Sequence, residues 1–411
     1  MRRAKVRLYR ADADMLDLFT DDVRRNPFPL YAQMRSAAPA LHVPPLDMWI
    51  LFDYEGVKRV LHDHETFSSV VNTQMAQTPD WLVFSDPPRH TKLRNIIQRA
   101  FTPRSITSLE PRIRELSREL LDGVIERGSM DLVKDYAEPL PTMVIAEMIG
   151  IPIADRARFV RWSEIILNLS YTISGGEAGA RAVAEHAAVK EEIGAYIEDL
   201  CQARRKEPRD DLLTRLVEAE VDGERLTNKD ILGFFQLLLS AGTETTTNLI
   251  SNTILSMFEH PGELARLRAD PERLLPTTIE EVLRHRTPVS MVFRSTTREV
   301  VLHGQTIPAG KFVLVMMGSA NRDPKQFRDP DTFDVGRDPN PHIAFGHGIH
   351  FCLGASLSRL EGRVAIPDLL SRLRDLAPAS DAPWPPRKPL HVYGPSSLPI
   401  RFEPGRRLAA A

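Results

Sequence analysis

The chain has 411 residues, 42% of them hydrophobic and 26% charged, with a formal net charge of −2. That length exceeds the usual size of one hydrophobic core, so a large domain or two lobes are expected. A near-neutral balance argues against nucleic acid as a partner, and two cysteines are too few for a disulfide scaffold.

The N-terminus, Met-Arg-Arg-Ala-Lys-Val-Arg, carries no apolar run of signal-peptide or membrane-spanning length, so a cytoplasmic protein without a membrane anchor is expected. Residues 48–52 (Met-Trp-Ile-Leu-Phe) read as a strand followed by a short helix. Residues 71–88 form a long connection ending in Asp86-Pro87-Pro88, where prolines stop regular structure. Helical patterns then dominate 90–270. Cys201 has no partner in its neighbourhood and reads as structural.

The strongest helix is 228–259. Thr227 caps it, Asp230 three residues on completes a capping box, and Pro261 ends it. At the standard rise it is about 48 Å long. Its first half, with Ile231, Phe234, Phe235, Leu237, Leu238 and Leu239, is apolar all round and predicts burial on every side. The pattern breaks at Ala241-Gly242-Thr243-Glu244-Thr245-Thr246-Thr247, which are poor helix formers. Thr245 is placed to bond the Ala241 carbonyl four residues back and leave a groove. A buried acid is costly without a partner or a function. The segment is therefore either a kinked core helix with a salt-bridged Glu244 or an acid–alcohol pair for proton delivery.

Glu281 and Arg284 sit at i, i+3, which alone is an ordinary helix pair. A strand-rich patch follows at 293–316, with a turn at Ile307–Gly310, and then an irregular Pro- and Asp-rich run over 323–342. Residues 345–354 read Phe-Gly-His-Gly-Ile-His-Phe-Cys-Leu-Gly. Here Cys352 stands ahead of an apolar helical pattern (Leu353, Leu357, Leu360, Val364), a position that favours the thiolate. Gly346 and Gly348 permit close backbone approach to a flat ligand, and Gly354 keeps space beside the sulfur. One thiolate with no second Cys or His at zinc spacing suits a single axial bond to haem iron, the alternative being a buried free cysteine. The tail 390–403 reads as extended. The pattern as a whole predicts mainly α structure with small β-sheets.

The 345–354 string resembles the cysteine-ligand loop of the cytochrome P450 family of haem-thiolate monooxygenases. The resemblance runs from about Asn26 to the C-terminus, with the motifs in the family's order. It implies a triangular α-rich domain with a minor β-rich lobe over 26–405, an N-terminal extension 1–25 and a tail 406–411. It implies haem b with Cys352 as its axial ligand, lined by Phe345, Gly346, Gly354 and Ala241. Its propionates would meet His90, Arg94, Arg294 and His350. By the same likeness Glu244 and Thr245 deliver protons and Gly242 leaves room for dioxygen. Glu281 and Arg284 hold the core behind the loop; Thr332 stands where the family often has an arginine, and Arg337 is the candidate to replace it. The segments over the haem would be 70–84 and 165–185, with Val70, Val71 and Trp81 in the first and Gly175-Gly176 as a turn in the second. The pocket would be formed by Leu82, Val83, Leu238, Val289, Met291, Val292 and Leu398, a set suited to a terpene, fatty acid, steroid or polyketide. Electrons would come from a separate ferredoxin or flavodoxin and its reductase, steered by Lys92 and Arg99 in a run of bases from Arg89 to Arg104. A monomer is expected. The two rivals are a peroxide-driven peroxygenase on the same fold and a non-catalytic haem sensor.

Overall fold

The computed structural model describes residues 20–70, 72–73, 76–77, 81–168, 176–221 and 223–408. Val71 and Gly175 lie outside them. Eight helices position the site: α1 (Tyr54–His62), α2 (Arg89–Ala100), α3 (Glu110–Asp122), α4 (Pro139–Ile149), α5 (Gly176–Lys206), α6 (Asn228–Glu259), α7 (Pro271–His285) and α8 (Ala355–Arg372).

Local chemistry sets their ends. Asp53 accepts the Gly56 N–H at the start of α1. Thr227 and Asp230 form the reciprocal capping box of α6, which then runs unbroken to Glu259 before Pro261. At the end of α4, Gly150 has φ +87°, and a Cβ there would lie 2.2 Å from the Asp211 carboxylate, so glycine is required twice over. The central α6 packs against α4, α7, α8 and the helix Arg156–Asn168. Phe159, Trp162, Phe235, Leu239, Ile250, Leu360 and Leu369 fill the main core around it.

A five-stranded sheet forms the smaller lobe: β1 (Ala40–Val43), β2 (Met48–Leu51), β3 (Phe67–Ser68), β4 (Val292–Thr296) and β5 (Phe312–Val315), in the order β1-β2-β5-β4-β3. β5 runs parallel to β2 with Val313 opposite Trp49; the other pairs are antiparallel. Alternation separates its faces. Trp49, Leu51, Val313 and Val315 join a cluster with Val57 and Phe67, whereas Ile50, Met48 and Leu314 join Tyr31 and Met316 on the other side.

Two expectations need amending. The segment 20–25 is stitched into the body and is not a loose extension. Arg24 and Arg25 donate to the carbonyls of Pro389 and Trp384, and the Tyr393 hydroxyl donates to the Arg25 carbonyl at 2.7 Å. The tail is extended only over Pro399–Arg401, which pairs with Ser129–Asp131 and Ala377–Pro378; residues before it fold into turns bridged at Pro386–Pro395.

Candidate active site

The cysteine loop is built by two left-handed glycines, Gly346 (φ +73°) and Gly348 (φ +72°). A Cβ at Gly348 would lie 2.8 Å from the Leu61 carbonyl, so the close approach expected there is to α1, not to a ligand. The Cys352 N–H closes the loop on the Phe345 carbonyl at 2.9 Å. The Arg359 guanidinium lies 4.5 Å over the Phe345 ring. Gly354 is less constrained, since a Cβ there would sit 3.9 Å from the Cys352 sulfur, at ordinary contact distance.

The Cys352 side chain is exposed. Even so, desolvation by the surrounding loop pushes its thiol up, against the lowering pull of the Gly354 N–H, Arg94, Arg359 and the Ala355 N–H. A bound metal ion would supply the remaining stabilisation.

Four basic side chains converge nearby. The His90 and His350 rings meet tilted, with 4.2 Å between ring centres. His90 is 1% exposed, and neither ring nitrogen has a hydrogen-bond partner among the described residues. Burial, then Arg94, push His90 down to about 4. His350 is driven lower still by burial and by Arg294, while its Nε2 lies 2.9 Å from the Ser69 hydroxyl. Arg294 is buried on β4 and is pushed down to about 10, with Asp86 pulling the other way. Arg94 donates to the Phe351 carbonyl at 2.6 Å. Asp86, which also accepts from the Ser69 N–H, is the counter-charge. Such a crowd of basic groups with orphaned ring nitrogens fits a dianionic ligand edge, such as the two carboxylates of haem.

On α6 a partly accessible stripe of Leu237, Leu238, Ala241, Gly242 and Thr245 interrupts a helix that is otherwise buried at its middle. These residues recur at helical spacing and share one face. The Thr245 hydroxyl donates to the Ala241 carbonyl at 2.7 Å. Glu244 points elsewhere. It is buried, and burial raises it to about 7, with Arg387 lowering it and Glu138 raising it. At Gly242 a Cβ would lie 2.9 Å from Ile145 Cδ1, so α4 packs closely against this turn of α6.

Behind the loop, Glu281 and Arg284 are wholly buried and joined at 2.7 and 2.8 Å. Arg337 Nε donates to Glu281 Oε1 at 3.1 Å, and the Thr332 carbonyl accepts from both arginines. Thus Arg337 takes the third place, and Thr332 contributes only its backbone.

The apolar set is not brought together as one wall. Leu82 and Leu398 are buried in the main core and Val83 is exposed. Leu238 packs on that same core, while Val289 and Val292 pack on one face of the sheet. Met291 packs on the opposite face with Tyr31 and Ile50, which removes it from the set. The basic run is also more occupied than its charge suggests. Lys92 pairs with Glu224, Arg89 with Asp230, and Arg99 donates to the Glu220 carbonyl. Arg104 and Arg363 are exposed and have no ion-pair partner among the described residues. Arg387 and Glu361 escaped the sequence reading. Arg387 lies in an irregular tail with no periodic signal, whereas Glu361 is an acid on the apolar side of α8 and was detectable.

The Cytochrome P450 family model matches residues 25–400. The chain belongs to the cytochrome P450 family. It is 42% identical over 346 residues to the putative cytochrome P450 YjiB of Bacillus subtilis, covering 84% of this chain and 87% of that one. It is 36% identical to Cytochrome P450 109 of Bacillus spizizenii, covering 98% of each chain. The crystal structure of CYP109E1 from Bacillus megaterium in complex with corticosterone superposes with a TM-score of 0.86 at 39% identity, covering 93% of this chain and 99% of that one. Cytochromes P450 hold haem iron by a cysteine thiolate, and this chain is a monooxygenase of that class. Among the described residues, no helix is long and apolar enough to cross a membrane.

Proposed function

We propose that this cytochrome P450 inserts one oxygen atom of dioxygen into a C–H or C=C bond of an apolar small molecule of about steroid size, and that Cys352 would hold the iron of haem b. The partly accessible stripe of α6, with the Thr245 hydroxyl on it and the Glu244 carboxyl behind it, carries the reading. When bound, haem supplies dioxygen activation and one-electron chemistry.

The chain's own groups do the rest. Arg94 and Arg294, with the neutral His90 and His350 as hydrogen-bond donors, would hold the carboxylate edge of haem. Thr245, tied back to Ala241, presents its hydroxyl oxygen to the accessible side, where it passes a proton. Glu244, raised to about 7, takes and gives protons near neutral pH. The apolar groups Leu237, Leu238 and Ala241 on α6 and Val289 and Val292 by the sheet favour an apolar substrate, in keeping with the corticosterone bound by the Bacillus megaterium relative. Electrons come from a separate acidic ferredoxin or flavodoxin. Because Lys92 and Arg99 are engaged with the segment 220–225, the exposed Arg104 and Arg363 are the better docking cations. Two unpaired cysteines suit a reducing compartment such as the cytoplasm.

A Thr245→Ala variant tests the reading. With a reductase–ferredoxin system and a steroid screened by difference absorbance, product formed per reductant consumed is expected to fall at least about tenfold while hydrogen peroxide rises. Unchanged coupling would remove Thr245 from proton delivery.

A further inference from the structure

We propose that Arg387, held against Glu138, is the positioning residue that sets the charge of Glu244 in this chain. This rests on the proton-delivery reading of Glu244 and extends it to groups outside α6.

The C-terminal turn is seated on α6 one helical turn past Glu244. The Asn252 side-chain amide donates to the Tyr393 and Arg286 carbonyls at 2.9 and 3.1 Å. A Cβ at Gly394 would lie 2.5 Å from Asn248 Oδ1, so the turn backbone lies hard against the helix. The Arg387 N–H donates to the Gly394 carbonyl at 2.9 Å, which fixes the base of its side chain. Its guanidinium is turned inward. Nη2 lies 3.7 Å from Glu138 Oε2, and the Arg387 side chain is 12% exposed. Neither Nε nor Nη2 has a hydrogen-bond partner among the described residues, and both amide atoms of Asn248 share that condition. A guanidinium has five donors in a fixed fork, and leaving two of them buried and unmade is expensive unless the charge itself is used.

Glu138 is placed by an unusual element. Residues Val133–Ala137 form a π-turn, closed by the Glu138 N–H on the Val133 carbonyl, and Pro139 then opens α4. The Glu138 carboxylate thereby lies between Arg387 and Lys134, which donates to it at 3.1 Å and is 58% exposed. A charge series therefore runs inward from the surface, Lys134, Glu138, Arg387, and its inner end is carried by the turn seated on α6 beside Asn248, one helical turn past Glu244.

The charged groups acting on Glu244 are Arg387, which favours its anion, and Glu138, which opposes it. From α8, Glu361 bonds Thr246 instead. Burial raises the carboxyl, Arg387 limits that rise and Glu138 adds to it, which leaves it near neutrality, where it exchanges protons in both directions.

Infrared difference titration of the ferric holoprotein reads this directly, using the protonated-carboxyl band that Glu244→Gln abolishes. The parent midpoint is expected near 7. Arg387→Gln should raise it by about one unit or more, Glu138→Gln should lower it, and Arg387→Lys should restore it towards the parent. The pH profile of coupling should move in the same directions. An unmoved midpoint in both Arg387→Gln and Glu138→Gln would overturn the proposal, and should one variant fail to fold, the other decides alone. Normal coupling in Glu244→Gln would instead defeat the proton-delivery reading beneath it.

Discussion

Glu361 shows how much a single side chain costs this fold. It is fully buried on α8, its Oε1 has no partner among the described residues, and burial pushes it up to about 8, relieved only by the Thr246 hydroxyl. A carboxyl raised in the folded state binds its proton more tightly than in the unfolded chain. Its penalty is therefore absent below about pH 4, grows as the pH rises, and is complete above about 8, where it amounts to a few kcal/mol. Glu361→Gln removes that dependence. Relative to the parent, the variant should gain thermal stability progressively between about pH 4 and 8, as read by scanning calorimetry of the holoprotein; a constant difference across that range would show that Glu361 is not buried as an acid. The residues legible in the sequence, Cys352, Glu244 and Thr245, are those that break a local pattern. Arg387 and Glu138 were hard to read because their partners are remote: Glu138 meets Arg387 across 249 positions, and nothing local to either announces it.

Among the elements, α7 is held to the cysteine-loop region by one buried charge cluster. Glu281 accepts from Arg284, Arg337, Asn340 and the Asp334 N–H. Arg284 in turn donates to the carbonyls of Asn321, Pro330 and Thr332. Removing one partner of a buried pair leaves the other charge uncompensated. Glu281→Gln should therefore cost about 3–5 kcal/mol in denaturant unfolding, and Arg337→Met, at the less buried corner, about 1–3 kcal/mol. An Arg337→Met protein as stable as the parent would detach that arginine from the cluster. Helix α6 was readable to the residue because its start is a capping box and its end a proline, both local devices. The π-turn at 133–137 and the two-residue strand β3 were not, since a five-residue turn carries no periodicity and Phe67 pairs with Thr296 far along the chain.

At the scale of the molecule, the fold joins remote stretches pairwise: the start of α2 meets the loop before α8 through His90–His350 and Arg94–Phe351, and the middle of α6 meets the first turn of α8 through Thr246 and Ser358. Ordinary composition disclosed none of this; the order of the motifs did. The apolar wall was the least legible part. Burial alone does not distinguish a pocket residue from a core residue, and Met291, just before β4, packs on the opposite face of the sheet from Val292. Everything assigned to the site depends on the Cys352 sulfur binding haem iron, and carbon monoxide difference absorbance of the reduced protein measures that most directly. The parent should give the strongly red-shifted Soret band of a thiolate-ligated haem, and Cys352→Ser should lose it while retaining its fold by circular dichroism. A parent protein without that band, or a Cys352→Ser protein that keeps it, would contradict the account.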